Sequence, residues 1–191
     1  MLVLKNATVL TMTRPAFTGD VAVDEGKIVA VGESVDFDGA DLIDLSGKFI
    51  MPGVIDAHSH IGMFEDGMGA EGADGNECSN PTTPELRAID GVNPFDPCFR
   101  EAVAAGVTTA VTGSANVVGG TFVALKLYGK SVEDMIIKQP VAMKAAFGEN
   151  PKRVYGSKGT PGTRMAIASI LRKALTQAKE YDEKLKKAES D

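Results

Sequence analysis

The character of the chain changes at Pro52-Gly53, and that break constrains the fold more than any other feature. Before it, apolar residues alternate in short runs separated by turn residues, the period-two pattern of half-buried strands. Leu2 to Met12 is one such run, rich in Val, Leu and Thr. Asp20 to Val23, the turn Asp24-Glu25-Gly26-Lys27 and Ile28 to Val31 make a hairpin. Leu42 to Leu45, the turn Ser46-Gly47-Lys48 and Phe49 to Met51 make a second. Residues 1–52 are therefore expected to form a small antiparallel β domain. Beyond the break, helix-like and strand-like segments alternate, so residues 53–191 are expected to be α/β with a parallel sheet.

Within that second part, Val54 to His60 reads as a short buried strand ending in polar groups. Asp96 is placed to cap a helix running through Ala105, which Gly106 closes. Val107 to Thr112 is β-branched and apolar, like a buried parallel strand. Phe122 to Leu127 and Val141 to Phe147 are further strand candidates, and Ser131 caps the segment Val132 to Lys138. Ile167, Ile170, Leu171, Ala174, Ala178, Tyr181 and Leu185 recur at three- and four-residue steps, which makes one apolar stripe on a helix. From Gly62 to about Pro94 the chain is rich in Gly, Asp, Asn and Pro. Irregular segments of that length are functional or disordered, so a mobile lid or insertion is expected there.

Hydrophobic residues make up 43% of the 191 and charged residues 24%, enough apolar material for a globular core. The formal charge of −6 gives no electrostatic attraction for nucleic acid or an anionic membrane. No apolar run approaches the roughly 20 residues that cross a bilayer, and no basic-then-apolar leader follows Met1. A soluble cytoplasmic chain is the expectation. Cys78 and Cys98 lack CxxC spacing and a neighbouring histidine, and read as two free thiols.

The chain has two histidines, and they stand at His58 and His60. Residues i and i+2 of a strand share a face, so both imidazoles can reach one metal ion from one strand. The plainer alternative is two incidental polar residues at a strand end. Asp56 shares that face and either supports the histidines from behind or bonds within the strand junction. Gly119-Gly120 reads as a turn rather than as backbone approaching a substrate. Lys152, Arg153, Glu65, Asp66, Glu71 and Asp74 read as solvated surface.

The run Lys48-Phe49-Ile50-Met51-Pro52-Gly53-Val54-Ile55-Asp56-Ala57-His58-Ser59-His60 resembles the amidohydrolase superfamily. That family enters its barrel through a Pro-Gly-hydrophobic-Ile/Leu-Asp-x-His-x-His segment. Leu4 to Val9, Asp24 to Ile28 and Val31-Gly32 resemble the family's opening, and Ala104 to Thr109 its next helix–strand junction. The resemblance covers about residues 1–150 and is nearest to imidazolonepropionase-like and related deacetylase-like members.

The resemblance implies a small β-sandwich followed by a (β/α)8 TIM-type barrel with one or two divalent metals. It also implies a metal-bound water whose pKa falls towards about 7, and hydrolysis of the C–N bond of a small amide or cyclic amide. It carries the metal-ligand role onto His58 and His60. In binuclear members a Glu or a carboxylated Lys from the fourth strand bridges the metals. Glu149, past the end of the fourth strand candidate, is the preferred oxygen ligand, with Lys144 as the alternative. Zinc is expected first, with iron, manganese or nickel as alternatives.

Two later histidines and an aspartate base complete the family pattern. This chain has no third histidine, so its catalytic base and substrate-binding residues stay unassigned. A (β/α)8 barrel takes about 250 residues. The chain is thus expected to supply only the first part of the barrel and part of the active site. It is expected to be a fragment, a subunit completed by a second chain, or a self-associating relic. The alternative to a hydrolase is a catalytically inactive assembly or binding protein that keeps the half fold.

Overall fold

The computed structural model describes residues 1–190, which divide between Gly53 and Val54 into two compact units.

In the first unit, β1 (Leu2–Val9), β2 (Phe17–Asp24) and β3 (Lys27–Gly32) form an antiparallel meander. β4 (Asp41–Asp44) and β5 (Phe49–Ile50) then pair with β1, both in parallel. The expected second hairpin is therefore corrected: β4 and β5 follow one another along one edge of β1 instead of lying side by side. The turn residues do their local work, Lys48 N donating to Leu45 O at 2.9 Å, but the turn shifts the chain along β1 rather than reversing it.

The first unit packs on Val3, Ala7, Val9, Val21 and Ala22. Between Leu4 and Ala7 strand β1 carries one residue more than β2, with Asn6 in the left-handed region at φ 61°. That is a β-bulge. It is tied down by buried Asp20, whose carboxylate accepts from Asn6 N, Val35 N and Lys5 Nζ.

The second unit opens with β6 (Val54–Ser59) and β7 (Val107–Thr112), which are parallel. The helix α1 (Pro97–Ala104) lies on the connection between them. Its local signals act as expected. Asp96 accepts from Cys98 N as the N-cap, Pro97 opens the helix, and Gly106 follows its end at φ 89°. β6 forms an edge of its sheet, and Val54 and Ile55 are exposed, which corrects the expectation of a buried strand.

Past β7 the parallel alternation stops. The link Gly113–Phe122 is too short for a helical crossover, which takes a dozen or more residues. So β9 (Val123–Lys126) returns antiparallel to β7, and β10 (Ile136–Lys138) pairs antiparallel with β9 after the single-turn helix α2 (Val132–Met135). β8 (Val118–Thr121) and β11 (Met143–Ala145) form a separate two-stranded antiparallel sheet. The core of the unit gathers Met63, Phe99, Ala110, Val123, Leu125, Leu127 and Met135.

The long irregular segment is anchored rather than free. Met63, Ala88 and Val92 are in the core, and Thr82 and Arg87 bridge to Val118 and Thr121. Asn116 Nδ2 donates to Asn80 O at 2.8 Å, and Lys158 Nζ to Cys78 O at 2.8 Å. The Tyr155 hydroxyl lies 2.5 Å from Glu77 O and 2.9 Å from Asn80 O, and its single proton serves one carbonyl at a time.

The chain continues through α3 (Glu149–Tyr155) into α4 (Arg164–Ser190). On α4 only Ile167 is buried, and Leu175, Tyr181 and Leu185 are exposed. No described helix is long and apolar enough to cross a membrane.

Candidate metal centre

The two histidines sit at the C-terminal end of β6, His58 within it and His60 just beyond Ser59. Their ring centroids are 5.6 Å apart and the rings meet edge to face. His60 Nδ1 lies 2.5 Å from Gly113 O, at the end of neighbouring β7. A carbonyl accepts only, so this nitrogen carries a proton, and in the neutral ring the lone pair is then on Nε2. His58 Nε2 lies 2.9 Å from Lys144 Nζ, on β11. An ammonium donates only, so in this arrangement Nε2 of His58 is an acceptor too.

The electrostatics agree with the hydrogen bonds. The Lys144 charge, then burial, then His60 hold the His58 imidazolium below its ordinary pKa, against an opposing pull from Asp56. Burial likewise holds the Lys144 ammonium below the usual lysine range. The His58 shift favours the neutral imidazole, the form that binds a cation.

The other candidate residues fall elsewhere. The trio His58, His60 and Glu149 does not converge: among the described residues no three His, Cys, Asp or Glu side chains gather as a metal site. Glu149 opens α3, 84% exposed, and its Oε1 pairs with Lys152 Nζ at 2.8 Å. That neighbour also holds its carboxyl below the usual range. The residue brought to the histidines is instead the alternative, Lys144.

Asp56 accepts from the His58 backbone N–H at 3.0 Å, so it bonds within the strand end rather than to an imidazole. Gly119-Gly120 is not a turn but part of β8. Gly120 has φ 87°, and a Cβ there would overlap the Leu86 carbonyl, so the close approach it permits is that of another backbone segment. Asp66, Glu71 and Asp74 are exposed, Glu65 partly so, and Arg153 lies in α3. Cys78 and Cys98 are both free.

A cleft of about 580 Å³ opens nearby, lined by Met63, Asn76, Glu77, Leu86, Arg87 and Ser114 among others. Ser114 directly follows Gly113, which holds His60. The volume lies within the range of small-ligand sites, roughly 300–1,000 Å³. Sequence reading missed Gly113 and Phe122, whose ring stacks on His58 with centroids 5.6 Å apart and planes 15° apart. The signal for Gly113 was its place just past a β-branched strand, where the chain must turn.

Comparison with known proteins supplies the class. The solved structure of an amidohydrolase from Thermotoga maritima MSB8 superposes on the whole chain with a TM-score of 0.93 and 46% identity. The amidohydrolase tasK of Hapsidospora irregularis is 35% identical over 179 residues, 84% of this chain. A D-hydantoinase of Geobacillus stearothermophilus is 38% identical over 60 residues, 31% of this chain and 12% of that protein. No family model matches.

The fold thus belongs to a recognised class. The chain is a member of the amidohydrolase superfamily. It spans about half the length of the Thermotoga protein, 51%, and 18% of the length of tasK.

Proposed function

We propose that the chain supplies the His-x-His part of a divalent-metal centre in a hydrolase of C–N bonds in small amides or cyclic amides. The observation that carries this reading is the convergence at the β6 terminus: two imidazoles side by side, each with Nε2 as an acceptor, and Lys144 Nζ 2.9 Å from one of them. The donor set fits a divalent cation, with zinc first and iron, manganese or nickel as alternatives. His58 and His60 would hold it, and Lys144, in carboxylated form, would supply oxygen. When bound, the cation would polarise a carbonyl and lower the pKa of a water molecule.

The chain's own residues do the positioning. Gly113 O fixes the His60 tautomer, and Lys144 fixes that of His58. The cleft beside Ser114 is the proposed recess for the substrate. β6 and β7, parallel and linked through α1, are the proposed first strands of a (β/α)8 barrel. Further histidines and a general base would come from additional polypeptide, continuous with this chain or separate from it. The name of the D-hydantoinase relative supports a cyclic amide as the substrate class.

The experiment is metal analysis of purified protein beside His58→Ala/His60→Ala, joined to a screen of N-acyl amino acids and cyclic amides with the assembled enzyme. Bound metal that the double substitution removes is the expected result; equal metal content in both would overturn the assignment. One observation favours the second reading, a non-catalytic assembly protein: Ile55, Phe147, Leu175 and Tyr181 are all exposed. A metal-free particle of defined size would support it.

A further inference from the structure

We infer that Phe122 is the positioning residue of this centre, the side chain that registers the β6 end bearing His58 and His60, the Gly113 turn that holds His60, and the β11 segment bearing Lys144. The inference rests on the proposed metal reading and adds to it a residue outside the donor set.

Phe122 follows β8 and is 4% exposed. Its backbone pairs on both sides with the approach to β11: Phe122 N donates to Ala142 O, and Val141 N to Phe122 O, each at 2.9 Å. That pairing sets the register of β11 and so places Lys144, two residues beyond Ala142. The ring then makes three contacts. It stacks on the His58 imidazole, with planes 15° apart. It lies 5.8 Å from Lys144 Nζ. It also packs so tightly over Gly113 that a Cβ there would overlap its Cδ1 and Cε1 atoms. Gly113 in turn holds His60 through its carbonyl.

One buried ring therefore touches every segment of the centre. An imidazole on an edge strand has two free torsions, and hydrogen bonds at the nitrogens leave the ring plane to be set by what packs on its face. Phe122 supplies that face. The absence of a side chain at Gly113 lets the ring come close enough to do so.

The test uses the fact that the chain has only two histidines, so its imidazole NMR signals are few and assignable. Wild type, Phe122→Leu, Phe122→Tyr and Gly113→Ala are compared by circular dichroism, imidazole proton NMR and Co²⁺ titration. In the wild type the His58 ring protons are expected upfield, because they lie over an aromatic face. Phe122→Leu should remove that shift and weaken Co²⁺ binding about tenfold, the lower range for loss of a supporting contact at a metal site. Phe122→Tyr, which keeps the ring, should restore both.

Gly113→Ala keeps Phe122 but displaces it, and should disturb both histidines. It carries the test if Phe122→Leu does not fold. Unchanged His58 signals and Co²⁺ affinity in a folded Phe122→Leu, or in Gly113→Ala, would overturn the inference while leaving the metal reading standing. Equal Co²⁺ binding by wild type and His58→Ala/His60→Ala would remove the metal reading and this inference with it.

Discussion

Burial alone would raise the Asp20 carboxyl, but the Lys5 ammonium at 2.7 Å and the amides of Val35 and Asn6 outweigh it and leave its pKa below the ordinary value. A depressed carboxyl stabilises the fold above its unfolded pKa of about 3.9 and loses that contribution as pH falls through the lower folded value. Asp20→Ala should cost about 3 kcal/mol at neutral pH, the scale for leaving a buried partner unpaired. The deficit should shrink below about pH 4; thermal melts at neutral and acid pH read both. A pH-independent deficit would mean that Asp20 acts by shape alone. The thiols differ in the same way. Burial, then Asp96, push Cys98 up to about 11, while Cys78 is exposed. At pH 8 only about one Cys98 in a thousand is thiolate, so iodoacetamide should label exposed Cys78 first and Cys98 much more slowly. That His58 and His60 stand together was legible in sequence, because spacing on one strand fixes which face they share. That Lys144 rather than Glu149 lies beside them was not. It depends on β11 pairing with β8 and on Phe122, contacts that no local pattern encodes.

At the scale of elements, what is local was legible and what is long-range was not. The α1 helix follows from Asp96, Pro97 and Gly106, each acting on its neighbours. Asp96→Ala should cost about 1 kcal/mol in denaturant titration, and Asp96→Ser, which keeps an acceptor, much less. Equal losses would mean that the cap bond carries nothing. The β4–β5 turn illustrates the other case. Its residues mark a turn correctly, yet the flanking strands pair with β1, far away in sequence, and Leu45 and Ile50 pack against Ala7 and Val9. β8 was missed because two of its four residues are glycines, which signal a break. Gly120 is needed there because Leu86 crosses it. Gly120→Ala should therefore destabilise the second unit by more than the usual helix or strand penalty of about 1 kcal/mol.

Over the whole molecule, apolar surface stays uncovered within each unit. In the first, Ile28, Leu42 and Phe49 are exposed; in the second, Ile55, Phe147 and, on α4, Leu175. Surfaces of this kind mark association. Sedimentation velocity should show a particle size that grows with concentration, and Leu175→Glu should lower it; a size independent of both would mean that these surfaces do not drive self-association. The opening β unit, the His-x-His strand end and the superfamily were all readable from residues 1–60, while the antiparallel return of β9 was not, since it follows from the short link after Thr112. In the proposed metal reading Lys144, and not Glu149, is the residue of this chain that joins His58 and His60 at the cation. The direct measurement is zinc affinity of Lys144→Ala and Glu149→Ala beside wild type, by calorimetric titration. The proposed reading predicts at least a tenfold loss for Lys144→Ala, the scale of a lost supporting group, and wild-type binding for Glu149→Ala. Wild-type binding by Lys144→Ala with a loss in Glu149→Ala would contradict it.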